Sequence, residues 1–107
     1  MEALYDTSVL INAYRQNKQL KGYTTILNVI EFPKSLEMVL TVIYPSKQDY
    51  NLAVKLSKDL LKKGKPIPGI DLIIAAVALN KNLTLITSDK HFEVIQDIRS
   101  DFTLKVE

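Results

Sequence analysis

The chain has 107 residues, 47% hydrophobic and 24% charged, with three glycines and four prolines; this argues for one globular domain over residues 1–107 and against a disordered or two-core protein. It has no cysteine and one histidine, which excludes disulfide frameworks, thiolate zinc sites and histidine-rich metal sites, so any metal site has to be built from carboxylates. The net charge is +2, no basic and apolar leader opens the sequence, and no window approaches the roughly 18 uncharged apolar residues of a membrane helix, so a cytoplasmic protein is expected.

In chain order, residues 3–11 are apolar around one acid and read as a short buried strand, with residues 9–14 continuing as a helix packed on the sheet. Asp6 then stands where that strand ends. Residues 22–27 read as a second strand, Asn28 as a helix cap, and the following residues to about Leu40 as a helix carrying Glu31 in its first turn. Pro33 crowds a carbonyl of that first turn, so the start is expected to slide toward Glu31 or the turn to be irregular. Residues 41–44, β-branched and aromatic, read as a third strand or as the end of the preceding helix.

Ser46-Lys47-Gln48-Asp49 is a capping signal, and Tyr50, Ala53, Val54, Leu56, Leu60 and Leu61 supply the apolar stripe of a helix that ends at Gly64. Residues 62–69 form a rigid basic turn. Residues 70–79 are a nearly all-apolar helix interrupted by Asp71, the pattern of a buried helix, and Asn80-Lys81-Asn82 ends it. Residues 83–87 are a buried strand leading into Ser88-Asp89-Lys90-His91-Phe92, after which a short helix through Ile95 and a last strand over residues 102–106 complete the alternation. The order predicts a three-layer α/β/α fold with a mainly parallel central sheet.

In such a sheet a ligand binds beyond the carboxyl ends of the strands, where Asp6 and Asp89 fall. Glu31 and Asp71, each placed in the first turn of a helix, face the same edge if the helices follow their strands in the usual way, and four acids converge on one cleft. Helix N-termini favour ionised carboxylates, but four like charges in one cleft raise the pKa of some of them unless cations neutralise the group. Oxygen donors without His or Cys suit Mg2+ or Mn2+, and two such ions roughly 4 Å apart clamp the attacking water and the leaving oxygen of a phosphodiester.

Singly, each acid also has an ordinary account: Asp6 and Asp71 as helix caps, Glu31 as a solvated helix charge, Asp89 as a turn residue. Ser8 and Thr87 are the supporting candidates, ahead of Thr7 and Ser88, because a hydroxyl there can orient a carboxylate or a bound water. His91 reads as a partly exposed turn residue rather than a catalytic base, and Lys62, Lys63 and Lys65 read as a solvated helix end. Assigning four of the 12 acids to one pocket leaves 14 basic residues against eight acids elsewhere, a surface that moderately favours a polyanion.

Three stretches, LYDTSVLINAYR, TTILNVIEF and GKPIPGIDLIIAAVALNKNLTLITSDKHF, resemble the PIN domain, particularly the short prokaryotic members that act as VapC-type toxins. The resemblance spans nearly the whole chain and sets Asp6, Glu31, Asp71 and Asp89 at the positions of that family's four metal-binding acids. It implies an endoribonuclease dependent on magnesium or manganese, commonly a homodimer, held inactive by a cognate antitoxin whose peptide occupies the active-site groove. The chain departs from the family's pattern between Glu31 and the helix starting near Lys47, which is too short for the usual pair of helices, and Phe32-Pro33 interrupts what is usually a continuous helix. A catalytically impaired PIN module that binds RNA or a protein partner fits the shortened middle. A haloacid-dehalogenase-like phosphatase has a nucleophile loop similar to Asp6-Thr7-Ser8-Val9-Leu10 but needs a second acid where this chain has Ser8, and a receiver-type phosphoacceptor needs an acid pair where only Asp6 occurs.

Overall fold

Runs of three or four apolar and β-branched residues, too short to be stable alone, pair into one sheet in the computed structural model, which describes residues 2–107. The strands are β1 (Ala3–Tyr5), β2 (Tyr23–Thr25), β3 (Thr41–Ile43), β4 (Thr84–Thr87) and β5 (Leu104–Val106), ordered β3-β2-β1-β4-β5 with every pair parallel. The order reverses between β1 and β4. Right-handed crossovers then send α1 (Thr7–Arg15) and α2 (Ile26–Glu31) to one face and α3 (Lys47–Lys62), α4 (Gly69–Lys81) and α5 (Glu93–Gln96) to the other. The packing agrees: α1 touches α2 and the 3₁₀ turn Pro33–Glu37, whereas α3 touches α4 and α5.

The core lies between β1, β4 and the α3–α4 pair. Leu72, Ile74, Ala75, Ala76, Val77 and Ala78 of α4 are all buried, against Leu4 and Leu85 of the sheet and Ala53, Leu56 and Leu60 of α3. Alanines at three of these positions keep the helix thin where it is enclosed by both layers. Asn82, in the left-handed conformation at φ 56°, ends α4, and Leu83 N–H returns to the Ala78 carbonyl at 2.9 Å. The expected cap of α3 forms reciprocally: Ser46 Oγ accepts from Asp49 N–H, and the Asp49 carboxylate accepts from Ser46 N–H at 2.8 Å. The other Asp49 oxygen accepts from Asn80 Nδ2 at 2.7 Å, so this buried carboxylate also ties α3 to the end of α4.

The region after β2 corrects the sequence reading. Thr25, not Asn28, is the N-cap of α2; Asn28 is its capping-box partner, and both are fully buried. The helix does not run to Leu40 but stops at Glu31, because Pro33 has no N–H to continue the ladder and instead opens the 3₁₀ turn Pro33–Glu37. Glu31 therefore sits in the last turn of α2 rather than the first, at the end where the helix dipole disfavours a carboxylate. The first helix begins at Thr7, earlier than residue 9, with Asp6 immediately before it.

Gly22 precedes β2 with φ +136°, and a Cβ there would lie 2.7 Å from the Ala3 carbonyl oxygen of β1. Backbone cannot yield as a side chain does. Gly22→Ala is expected to lower stability by about 2 kcal/mol in urea denaturation, through strain at the β1–β2 junction.

Candidate active site

The end of β1 and the end of β4 are neighbours at the point where strand order reverses, and this is where the acids gather. Asp6, Glu31, Asp71 and Asp89 all line one groove of about 880 Å³, with Thr7, Ser8, Ile11, Ile70, Ser88 and His91 among the other walls. Asp6 follows β1, Glu31 ends α2, Asp71 lies in the first turn of α4, and Asp89 follows β4.

Asp6 is the deepest, 8% exposed. It stands at the N-cap position of α1, yet its side chain makes no capping hydrogen bond. Instead Asn28 Nδ2 donates to Oδ1 at 3.0 Å and Thr87 Oγ1 donates to Oδ2 at 2.7 Å. The same Thr87 hydroxyl accepts from Asp89 N–H at 3.0 Å, which fixes the turn carrying the fourth acid. On the other side Asn28 Nδ2 also reaches Thr7 Oγ1 at 3.0 Å, and that hydroxyl donates to Glu31 Oε1 at 2.6 Å. One hydrogen-bonded chain thus runs from Asp89 through Thr87, Asp6, Asn28 and Thr7 to Glu31.

Capping does not account for the other acids either. Pro68 and Asp89, at the N-cap positions of α4 and of the 3₁₀ turn Lys90–Phe92, make no side-chain capping bond. Asp71 engages His91 Nε2 through Oδ2 at 2.6 Å, and Asp89 engages His91 Nδ1 through Oδ1 at 2.5 Å. Two such contacts set the ring between two carboxylates, an arrangement that favours its protonated form. Asp71 is half-buried, and that desolvation raises its pKa; the His91 hydrogen bond and charge pull it back, while the charges of Asp6 and Asp89 add to the rise. Burial opposes the His91 cation, but hydrogen bonds and charges from Asp71 and Asp89 outweigh it, leaving the His91 pKa raised. Burial is thus the main cause of the rise at Asp71, and the crowding of like charges adds a smaller part.

All four predicted acids come to one groove. Thr87 takes its supporting place on Asp6. Ser8 does not hold a carboxylate: its hydroxyl accepts from Ser88 N–H at 3.2 Å, joining the start of α1 to the loop after β4. The hydroxyl that does hold one is Thr7. Two residues join the site that local pattern does not single out. Asn28 has the type of a cap, and His91 lies in a turn; the one available signal for His91 is its place two residues after Asp89, the spacing that lets a 3₁₀ turn fold it back. Lys65 pairs with Asp97 at 3.3 Å, an exposed contact at the turn before α4 that is in keeping with a solvated basic segment.

A curated protein, ribonuclease VapC1 of Methanocaldococcus jannaschii, is 31% identical over 119 aligned residues that take in 96% of this chain and 85% of the relative. The chain belongs to the VapC family of PIN-domain ribonucleases. The aligned span exceeds the 107 residues of this chain, so the VapC1 relative carries insertions within it. No protein-family model matches the chain. Among solved structures, the fold is similar to VapBC-5 of Mycobacterium tuberculosis (TM-score 0.78, 20% identity, all of both chains covered) and to VapBC2 of Rickettsia felis bound to a promoter DNA fragment (TM-score 0.77, 20% identity, 99% of this chain and 98% of that one). VapBC-1 of nontypeable Haemophilus influenzae is likewise similar, at TM-score 0.75 and 24% identity over 99% of this chain and 98% of that one.

The donor set fits a hard divalent cation: four carboxylates, all oxygen, on one groove wall. Among the described residues no three acidic or imidazole side chains yet form a ready-made ligand cluster, and two of the four acids are turned to His91.

Thr87→Val keeps the shape but leaves a buried Asp6 oxygen without its donor, and is expected to cost roughly 1–3 kcal/mol in urea denaturation, with Thr87→Ser close to the parent protein. The raised His91 pKa sets a sign for pH. Stability from its two ion pairs is fully present below the ordinary value of 6.5 and is lost as the pH rises through the raised folded value. The difference in melting temperature between the parent and His91→Asn should shrink on raising the pH through that window; a constant difference would contradict the ion pairs.

Proposed function

We propose that this chain is an endoribonuclease dependent on magnesium or manganese, the toxin of a type II toxin–antitoxin pair, with Asp6, Glu31, Asp71 and Asp89 holding the metal. The observation that carries the reading is the convergence on one groove of four acids from four separate segments, of which Asp6 and Asp89, at N-cap positions, make no side-chain capping hydrogen bond. Membership of the VapC family supports the reaction class, and the toxin–antitoxin complexes to which the fold is similar support an antitoxin partner.

Asp6, Glu31, Asp71 and Asp89 would hold a divalent ion in this groove, which would supply a water of lowered pKa and neutralise charge that builds on the phosphodiester. The rest falls to the chain. Asp6, locked at both oxygens, is the rigid member; Thr87 and Asn28 hold its carboxylate in one orientation. Thr7 does the same for Glu31, which its helix dipole alone would not favour at that end. Asp71 and Asp89, which His91 holds by one oxygen each, are the adjustable members. Ile11 and Ile70 give the groove apolar walls against which the uncharged parts of an RNA strand can rest.

A second copy of the chain and a location in the cytoplasm complete the proposal. Tyr50, Val54 and Leu61 form an exposed apolar stripe along α3, spaced to lie on one helical face, which is suited to a homodimer contact. No helix among the described residues is long and apolar enough to cross a membrane.

The test is cleavage of mixed-sequence single-stranded RNA with manganese or magnesium. Cleavage is expected, is expected to stop with chelator, and is expected to fall by roughly 100-fold or more in Asp71→Asn. Undiminished cleavage by that variant would remove Asp71 from the site. RNA retained without being shortened would instead support the impaired module that the interrupted segment from Phe32 to Ser46 suggests.

A further inference from the structure

We propose that His91 is the resident occupant of the Asp71–Asp89 pair, a clasp whose ring a divalent ion must displace before all four acids can act together. This rests on the metal-dependent reading above and concerns how that same site is opened. Both ring nitrogens are committed, Nε2 to Asp71 and Nδ1 to Asp89, so the ring spans the gap between α4 and the loop after β4. It takes one oxygen of each acid, and the described residues contain no group of three His, Cys, Asp or Glu side chains arranged to hold a metal ion. On this proposal ring and ion compete for the same two carboxylates.

The ring is held in place and is also free to leave. His91 stacks on Phe92, with centroids 4.8 Å apart and planes at 21°, and Phe92 is fully buried under the groove. Yet a third of the His91 side chain is exposed, 33%, and it forms part of the groove wall. Asp6 and Glu31, in contrast, are already bound by neutral hydroxyl and amide groups that need not move, so the site divides into a prebuilt half and a clasped half. A competitor that occupies the site in the metal-free protein lowers the apparent metal affinity by the fraction of molecules in which the clasp is open.

The experiment uses the single histidine of the sequence, whose ring gives one unambiguous set of NMR signals. The full chain is titrated with Mg2+ while cross-relaxation between the His91 ring and the Asp71 side chain is followed, and Mn2+ binding is measured by electron paramagnetic resonance for the parent, His91→Ala and His91→Gln. Loss of the cross-relaxation on Mg2+ saturation, with Mn2+ bound about three- to tenfold more tightly by both variants, is the expected result. Cross-relaxation that persists at saturation, or variants that bind no more tightly than the parent, would overturn the clasp and leave the metal site standing. If neither parent nor variants bind Mn2+ at millimolar concentration, the metal-dependent reading itself falls, and the clasp with it. The NMR measurement needs no variant, so a folding defect in His91→Ala cannot mask the outcome.

Discussion

A buried carboxylate has to have its oxygens satisfied, and in this fold Asp6 can be satisfied only if three separate segments meet. Its backbone N–H joins β4 through the Ile86 carbonyl at 3.0 Å, its Oδ2 takes the Thr87 hydroxyl from the end of β4, and its Oδ1 takes the amide of Asn28 from α2. Asn28 reaches it only because Thr25 caps α2 and fixes the amide's other end. Strand pairing, the start of α2 and the orientation of the deepest acid are thus one structural event. An unpaired charge at this depth would cost several kcal/mol, which is why neutral donors surround it so closely.

Around that fixed point the groove concentrates negative charge on a surface that is otherwise mildly basic. Helix dipoles help at Asp71, in the first turn of α4, and oppose at Glu31, in the last turn of α2. The fold meets the resulting repulsion in two ways. Neutral hydroxyl and amide donors hold Asp6 and Glu31, while the His91 ring holds Asp71 and Asp89. Such a divided arrangement separates rigid positioning from adjustable charge compensation.

The opposite layer supplies one of the acids, Asp71, and determines where it sits. An α4 apolar on every side has to be enclosed, and its alanines let α3 and the sheet close over it. Asp71 is the one charged residue at its entrance, carried to the groove because α4 begins at the same sheet edge at which β1 and β4 end. The Asp49 link between the start of α3 and Asn80 keeps that helix pair in register.

Local pattern alone was enough for the parallel α/β alternation, the reciprocal Ser46–Asp49 cap, the buried nature of α4 and the candidacy of Asp6, Asp71 and Asp89 at strand ends and a helix start. These follow from spacing within a few residues, where periodicity and capping chemistry act. The partners of the acids were not legible in the same way. Thr87 and Asp6 are 81 residues apart, Asn28 and Asp6 are 22 apart, and His91 and Asp71 are 20 apart. Asn28 looked like a cap because its type suits one, until Thr25 took that role and freed its amide to point at Asp6. Glu31 looked like a first-turn residue because nothing local says which side of Pro33 the helix occupies. His91 looked like a turn residue, and it is one; only the return of α4 to the end of β4 puts two carboxylates within reach of its ring. Asp6, Asp71 and Asp89 can be set at the sheet edge from local spacing, because the ends of β1 and β4 and the start of α4 are written within a few residues; the boundary beside Glu31 is not. What each acid holds depends on contacts between segments that meet only when the sheet assembles.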